Sequence, residues 1–164
     1  RATTASGRVE DDAEIVVAAY LREQIDLPAK LVRHRERLAR DLRQGRSIGL
    51  DLDGYAQLRN SRVVAQRVAR AEAAMIEAHR FAPGAWRRVL GDPTPFLSAL
   101  ADAATSWQRF DLICSAGMAR RHIRVDGMFT AYERVIAAES RVADIAAGGD
   151  LRSVRGLQPW MQPR

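Results

Sequence analysis

The chain has 164 residues, 47% apolar and 28% charged, with a net charge of +6. This is an ordinary composition for a globular protein, with length enough for one domain and a sizeable core. No apolar run approaches the about eighteen residues that a membrane helix needs, and Cys114, the only cysteine, has no partner for an internal disulfide, so a reducing, cytoplasmic setting is expected.

The apolar period is helical along the whole chain, and β-branched residues are sparse. The expected fold class is therefore all-α, a compact bundle of five to six helices. Ser6 reads as the cap of a first helix over about 8–25, with Glu10, Asp11, Asp12 and Glu14 favourably near its N-terminus. Val9, Ala13, Val16 and Tyr20 would form its apolar face. Asp26-Leu27-Pro28 has the form of an N-cap followed by a first-turn proline. It predicts a new helix over about 27–44, carrying the stripe Leu27, Leu31, Leu38 and Leu42 and ending at Gly45.

Gly49 and Gly54 bracket a polar connection, and Asp53 is the expected cap of a third helix over about 54–81. Leu58, Val64, Val68, Ala71 and Met75 would face inward along it. Pro83-Gly84 ends this helix, and a short helical segment, 85–90, leads to the turn Gly91-Asp92-Pro93-Thr94-Pro95. Thr94 is then the cap, and Pro95 the opening, of a helix over about 95–118. Its Phe96, Leu97, Leu100, Trp107, Phe110, Ile113 and Cys114 make it apolar around most of its girth, so it is expected to be the largely buried central helix. A basic hinge, Arg120-Arg121-His122-Ile123-Arg124, precedes a last helix over about 127–147, with Phe129, Tyr132, Val135, Ile136, Val142 and Ile145, ended by Gly148-Gly149. Residues 1–164 read as a single domain with 1–7 and 150–164 as extended tails.

The charge is unevenly spread. Residues 1–26 hold three basic and six acidic side chains, whereas 27–91 hold fourteen basic and six acidic, more than the whole surplus. Residues 33–46, RHRERLARDLRQGR, concentrate it further, with six arginines against Glu36 and Asp41. On a helix, Leu31, Leu38 and Leu42 cluster on one side, while Arg33, Arg37, Arg40 and Arg43 lie opposite with only Glu36 among them. Asp41 stands at i,i+4 from Arg37. The third helix repeats the pattern with Arg59, Arg62 and Arg70, and Arg67 beside them. These eight arginines are the candidate nucleic-acid-binding residues, since the guanidinium fork matches phosphate and a one-sided basic stripe can follow a backbone. Two other readings compete: a plain solvated helix surface, and docking of an acidic protein.

Other chemistries find little support. Residues 56–70, AQLRNSRVVAQRVAR, have the rough outline of a helix-turn-helix, but Asn60 stands where the turn wants a small residue. His34, His79 and His122 are far apart, and Glu72, Glu77 and His79 lack the i,i+3 spacing of bundle metal sites. There is no HExxH, CxxC, P-loop or dinucleotide fingerprint. Neither a metal nor another cofactor is expected, and Cys114, in the apolar run FDLICSAGM, is expected to be buried and unreactive. The sequence therefore predicts a non-catalytic helical subunit or accessory protein. It would contact nucleic-acid backbone, DNA or RNA, inside a larger assembly with other protein subunits. The alternative is a helical protein-interaction or regulatory module, in which the acidic first helix and Trp160 of the tail would also take part.

Overall fold

A computed structural model describes residues 5–43, 50–119 and 125–152, with side chains described over 12–40, 62–116 and 126–152. The described residues form helices joined by short connections, with no strand among them. They form α1 (Ala5–Arg43), α2 (Leu50–Ile76), a π-helical turn (Glu77–Phe81), α3 (Pro83–Leu90), α4 (Thr94–Ala119) and α5 (Val125–Ala147). α5 packs against both α1 and α4, α4 packs against α2, and α3 lies on α1. This is the expected all-α bundle.

The apolar core is divided along the bundle axis. At one end Val17, Leu21, Ala71, Ala74, Trp86, Phe96, Leu100, Val142 and Ala146 form one buried cluster. At the other end Leu31, Val64, Trp107, Phe110, Cys114, Met128, Tyr132 and Val135 form a second. Residue numbers rise from the first cluster to the second in α1 and α4 and fall in α2 and α5, so α1 and α4 run antiparallel to α2 and α5. Aromatic edges lock both clusters. Tyr20, Trp86 and Phe96 meet with centroids 5.8–6.3 Å apart, and Trp107, Phe110 and Tyr132 with centroids 5.2–6.3 Å apart.

Several boundaries differ from expectation. α1 is one helix, not two, and runs through Pro28. A proline inside a helix removes one backbone hydrogen bond, here to the Gln24 carbonyl, and costs about 3 kcal/mol. Packing on both sides of it outweighs that cost: Val17 and Leu21 are held in the first cluster, Leu27, Leu31 and Leu38 in the second. Asp26 is not a cap; its carboxylate pairs instead with Arg22 one turn earlier, at 3.8 Å. The buried face of α1 is Val17, Ala18 and Leu21, one residue on from the expected stripe, and Val16 is 54% exposed. The helix already includes Ala5, so it enters the segment expected to be an extended tail.

α2 begins before Gly54, and its end relaxes into the π-helical turn, where Ala82 N donates to Glu77 O at 2.8 Å. Val64 and Ala71 are buried as expected, while the side chain of Leu58 lies outside the described residues. The cap of α4 is Asp92 rather than Thr94: its Oδ1 accepts the Thr94 N–H at 3.0 Å. That bond holds the Asp92 carboxyl below its usual range. Along α4, Phe96, Leu97, Leu100, Trp107, Phe110 and Cys114 are buried, but Ile113 is 38% and Leu112 67% exposed. α4 packs most extensively against α2 and α5, and Phe96 near its start also meets Tyr20 and Trp86, while the side that carries Leu112 and Ile113 faces outwards. Directly after α5, Asp150 and Leu151 turn back onto the bundle, and residues 153–164 of the expected tail lie outside the described residues. Asp150 N donates to Val89 O at 2.8 Å, and Leu151 packs against the first cluster. Gly149 permits this return, because a Cβ there would meet Leu21 and Leu90 side-chain carbons at 3.3 Å.

Cys114 is 3% exposed, and burial pushes its thiol from an ordinary 9.0 up to about 11. Burial likewise pushes Tyr132 from 10.0 up to about 12. Both groups are neutral acids whose folded values are raised, so the stabilisation they give is complete below their ordinary values and is lost as pH rises through the folded ones. The melting temperature should therefore fall as pH climbs from about 9 to about 11, and Cys114→Ala should remove part of that fall. At neutral pH a thiol reagent should modify the folded protein far more slowly than the denatured chain. Equal rates would show that the thiol is accessible.

Candidate nucleic-acid interface

The candidate surface starts from α1. With the buried face of this helix fixed by Val17, Leu21 and Leu31, a 100° step per residue puts Arg33, Arg37 and Arg40 on the opposite side. All three are exposed there, and exposed Lys30 lies on the same stripe. None of the four makes an ion pair with a described residue; of the acids nearest them in sequence, Asp26 is taken by Arg22, Glu36 is exposed, and the side chain of Asp41 lies outside the described residues. Several other arginines are occupied, although exposed Arg80, Arg87, Arg109 and Arg134 also show no ion pair with a described residue. Arg35 pairs with Glu133 and lies 5.4 Å over the Phe129 ring; Arg88 pairs with Glu14; Arg141 lies 3.7 Å from Asp102.

The eight candidate arginines therefore separate. Arg33, Arg37, Arg40 and Arg62 are exposed and without a described carboxylate partner. The side chains of Arg43 and Arg59 lie outside the described residues, although both positions are helical. Arg70 is half exposed, but its Nη2 is 2.6 Å from Glu23 Oε2 and its guanidinium lies 5.7 Å over the Tyr20 ring. The contact between Arg70 and Glu23 ties α2 to α1, which meet through long side chains rather than close backbones. It also fixes their relative height. Counting from this contact at 1.5 Å per residue, Arg33 lies about 15 Å and Arg62 about 12 Å towards the same end of the bundle.

Arg67 is a correction. Its side chain is 10% exposed and turned into the bundle, where no polyanion reaches it. It forms a two-pronged contact with Glu139, Nε to Oε1 at 3.0 Å and Nη2 to Oε2 at 2.6 Å. Glu139 is fully buried, and its Oε1 also accepts the Trp107 Nε1–H at 3.2 Å. Beside them, buried Gln24 donates Nε2 to Tyr20 O at 3.0 Å. Burial raises the Tyr20 hydroxyl, against the opposing pull of the Arg67 and Arg70 charges. Gln24, Arg67, Trp107 and Glu139 thus make a polar layer between the two apolar clusters.

The sequence carried a signal for this layer that the arginine count obscured. Tyr132, Val135, Glu139, Val142 and Ala146 keep helical core spacing, so a carboxylate stands in a buried stripe and demands a cation. Arg67 follows Gln66 by 100°, which turns it off the solvent side towards α5.

No group of three or more His, Cys, Asp or Glu side chains among the described residues is arranged to hold a metal, and Glu72, Glu77 and His79 do not converge on one. His34 packs 6.0 Å from the Tyr132 ring. His79 and Arg87 line an open cavity of about 460 Å³ with Pro83, Pro93 and Thr94, whose Asp92 is already engaged as the α4 cap. Compared with known protein families, curated proteins and solved structures, the chain matches none.

Proposed function

We propose that this chain is a non-catalytic helical subunit that binds the phosphate backbone of nucleic acid through Lys30, Arg33, Arg37 and Arg40 of α1 and Arg62 of α2. One observation carries this reading. Lys30, Arg33, Arg37 and Arg40 follow one exposed stripe of a single helix without an ion pair to any described residue, whereas Arg35, Arg70 and Arg88 are paired with carboxylates. A solvated face of ordinary composition intersperses both signs, as the rest of this molecule does. Phosphate contacts of this kind give affinity without base readout, and binding then tracks salt through counterion release. Within a larger assembly the open flank of α4, with Leu112 and Ile113, is available for protein neighbours.

Arg33→Gln, Arg37→Gln and Arg40→Gln combined should leave the melting temperature almost unchanged, since exposed changes stay within about 0.5 kcal/mol. Affinity should fall for every sequence tested, and the slope of log affinity against log salt should flatten by about one unit per lost contact. A variant that binds as tightly as the parent removes this face from the proposal. A parent that binds no nucleic acid at low salt leaves the protein-interaction module as the better reading.

A further inference from the structure

Resting on that phosphate-binding reading, we propose that the polyanion taken by this face is a double helix rather than a single strand. The stripe from Lys30 to Arg40 lies on the outer, exposed side of one uninterrupted helix, so the cations sit on a ridge. Single strands are held in grooves, where bases splay out and stack on aromatic rings.

Among the described residues the phenylalanine, tyrosine and tryptophan rings lie elsewhere, and the one imidazole beside the stripe, His34, packs 6.0 Å from the Tyr132 ring. Trp86, Phe96, Trp107, Phe110 and Tyr132 are buried, and Phe129 is half buried under the Arg35 guanidinium. Exposed Phe81 follows α2 at the other end of the bundle, beside the first cluster. The ridge therefore offers charge to phosphates without a described platform for bases.

Arg62 supplies the second part of the argument. It rises from α2 near the height of Arg33, and the two helix axes are separated by at least the about 10 Å of packed helices. Cations on two separated helices match two phosphate rows flanking a groove, whereas a single strand offers one row. Along α1 the axial steps between Lys30, Arg33, Arg37 and Arg40 are about 4.5 to 6 Å. The whole stripe spans about 15 Å, a reach that a side-by-side approach to duplex backbone accommodates.

The test is a fluorescence-anisotropy titration of the full chain. The probes are a duplex DNA and a duplex RNA of about 20 base pairs and an oligothymidine of the same length, each at several salt concentrations. We expect at least one duplex to bind about tenfold more tightly than oligothymidine, with a salt slope of about four or five contacts. Arg62→Gln, checked for an unchanged circular dichroism melt, should lower the duplex slope by about one unit and leave oligothymidine binding little altered. Oligothymidine binding equal to or tighter than both duplexes overturns the duplex inference and leaves the phosphate reading standing. No binding to any probe at low salt overturns both. The relative affinity of the two duplexes then tells whether the groove geometry is B-form or A-form.

Discussion

Glu139→Leu should unfold this protein more readily than any surface change, lowering stability by about 3–5 kcal/mol. The reason is the charge left behind. Arg67, 10% exposed, would keep its positive guanidinium inside the bundle without the carboxylate that takes both of its prongs. The Trp107 N–H would lose its acceptor as well. The informative comparison is Arg67→Met with Glu139→Leu, which removes both charges and keeps the volume. Replacing a buried pair by apolar groups is often neutral or stabilising, so the double variant should recover most of the loss. Urea melts of the single and double variants measure this coupling. If the single change costs under about 1 kcal/mol, Arg67 reaches water on its own and the polar layer is not sealed.

Trp107→Ala should cost about 3–5 kcal/mol, the range for removing a large buried ring. Trp107 is 4% exposed and meets Phe110 and Tyr132 edge-on, so its loss opens a cavity in the second cluster that neighbouring rings cannot fill. Trp107→Phe keeps much of the ring and removes the N–H donor to Glu139, and should cost about 1–3 kcal/mol. The gap between the two variants separates packing from hydrogen bonding. In chemical denaturation, a Trp107→Ala variant as stable as the parent would place this ring outside the core.

The helices were legible because apolar residues at helical spacing leave little choice of element. Phe96, Leu100, Trp107 and Cys114 on α4, and Val135 and Val142 on α5, were recognisable as core from spacing alone. The break expected at Asp26-Leu27-Pro28 was not found, because capping signals are local and the clusters that keep α1 helical across Pro28 are not. Ile113 was expected inside since seven apolar residues surround most of α4, yet which side faces solvent depends on how many neighbours that helix has. Among the candidate arginines, the α1 stripe could be placed from periodicity. Arg67 could not be placed that way, because its partner Glu139 is 72 residues away along the chain. Electrostatic surplus counted along a sequence treats a buried, neutralised guanidinium and a free one alike.

The polar layer also has a kinetic consequence. Two apolar clusters stacked along one axis, and joined by charged and amide groups, form two units that can open separately below the global unfolding free energy. Amide hydrogen exchange should then resolve two protection classes, one for the turns around Leu21, Ala74, Leu100 and Val142 and one for those around Leu31, Val64, Phe110 and Val135. Arg33, Arg37 and Arg40 project from the helix that Leu31 anchors in the smaller cluster. A polyanion bound there would selectively slow exchange in the second class and leave the first untouched, so occupancy of the outer stripe can be read from protons deep inside one half of the molecule.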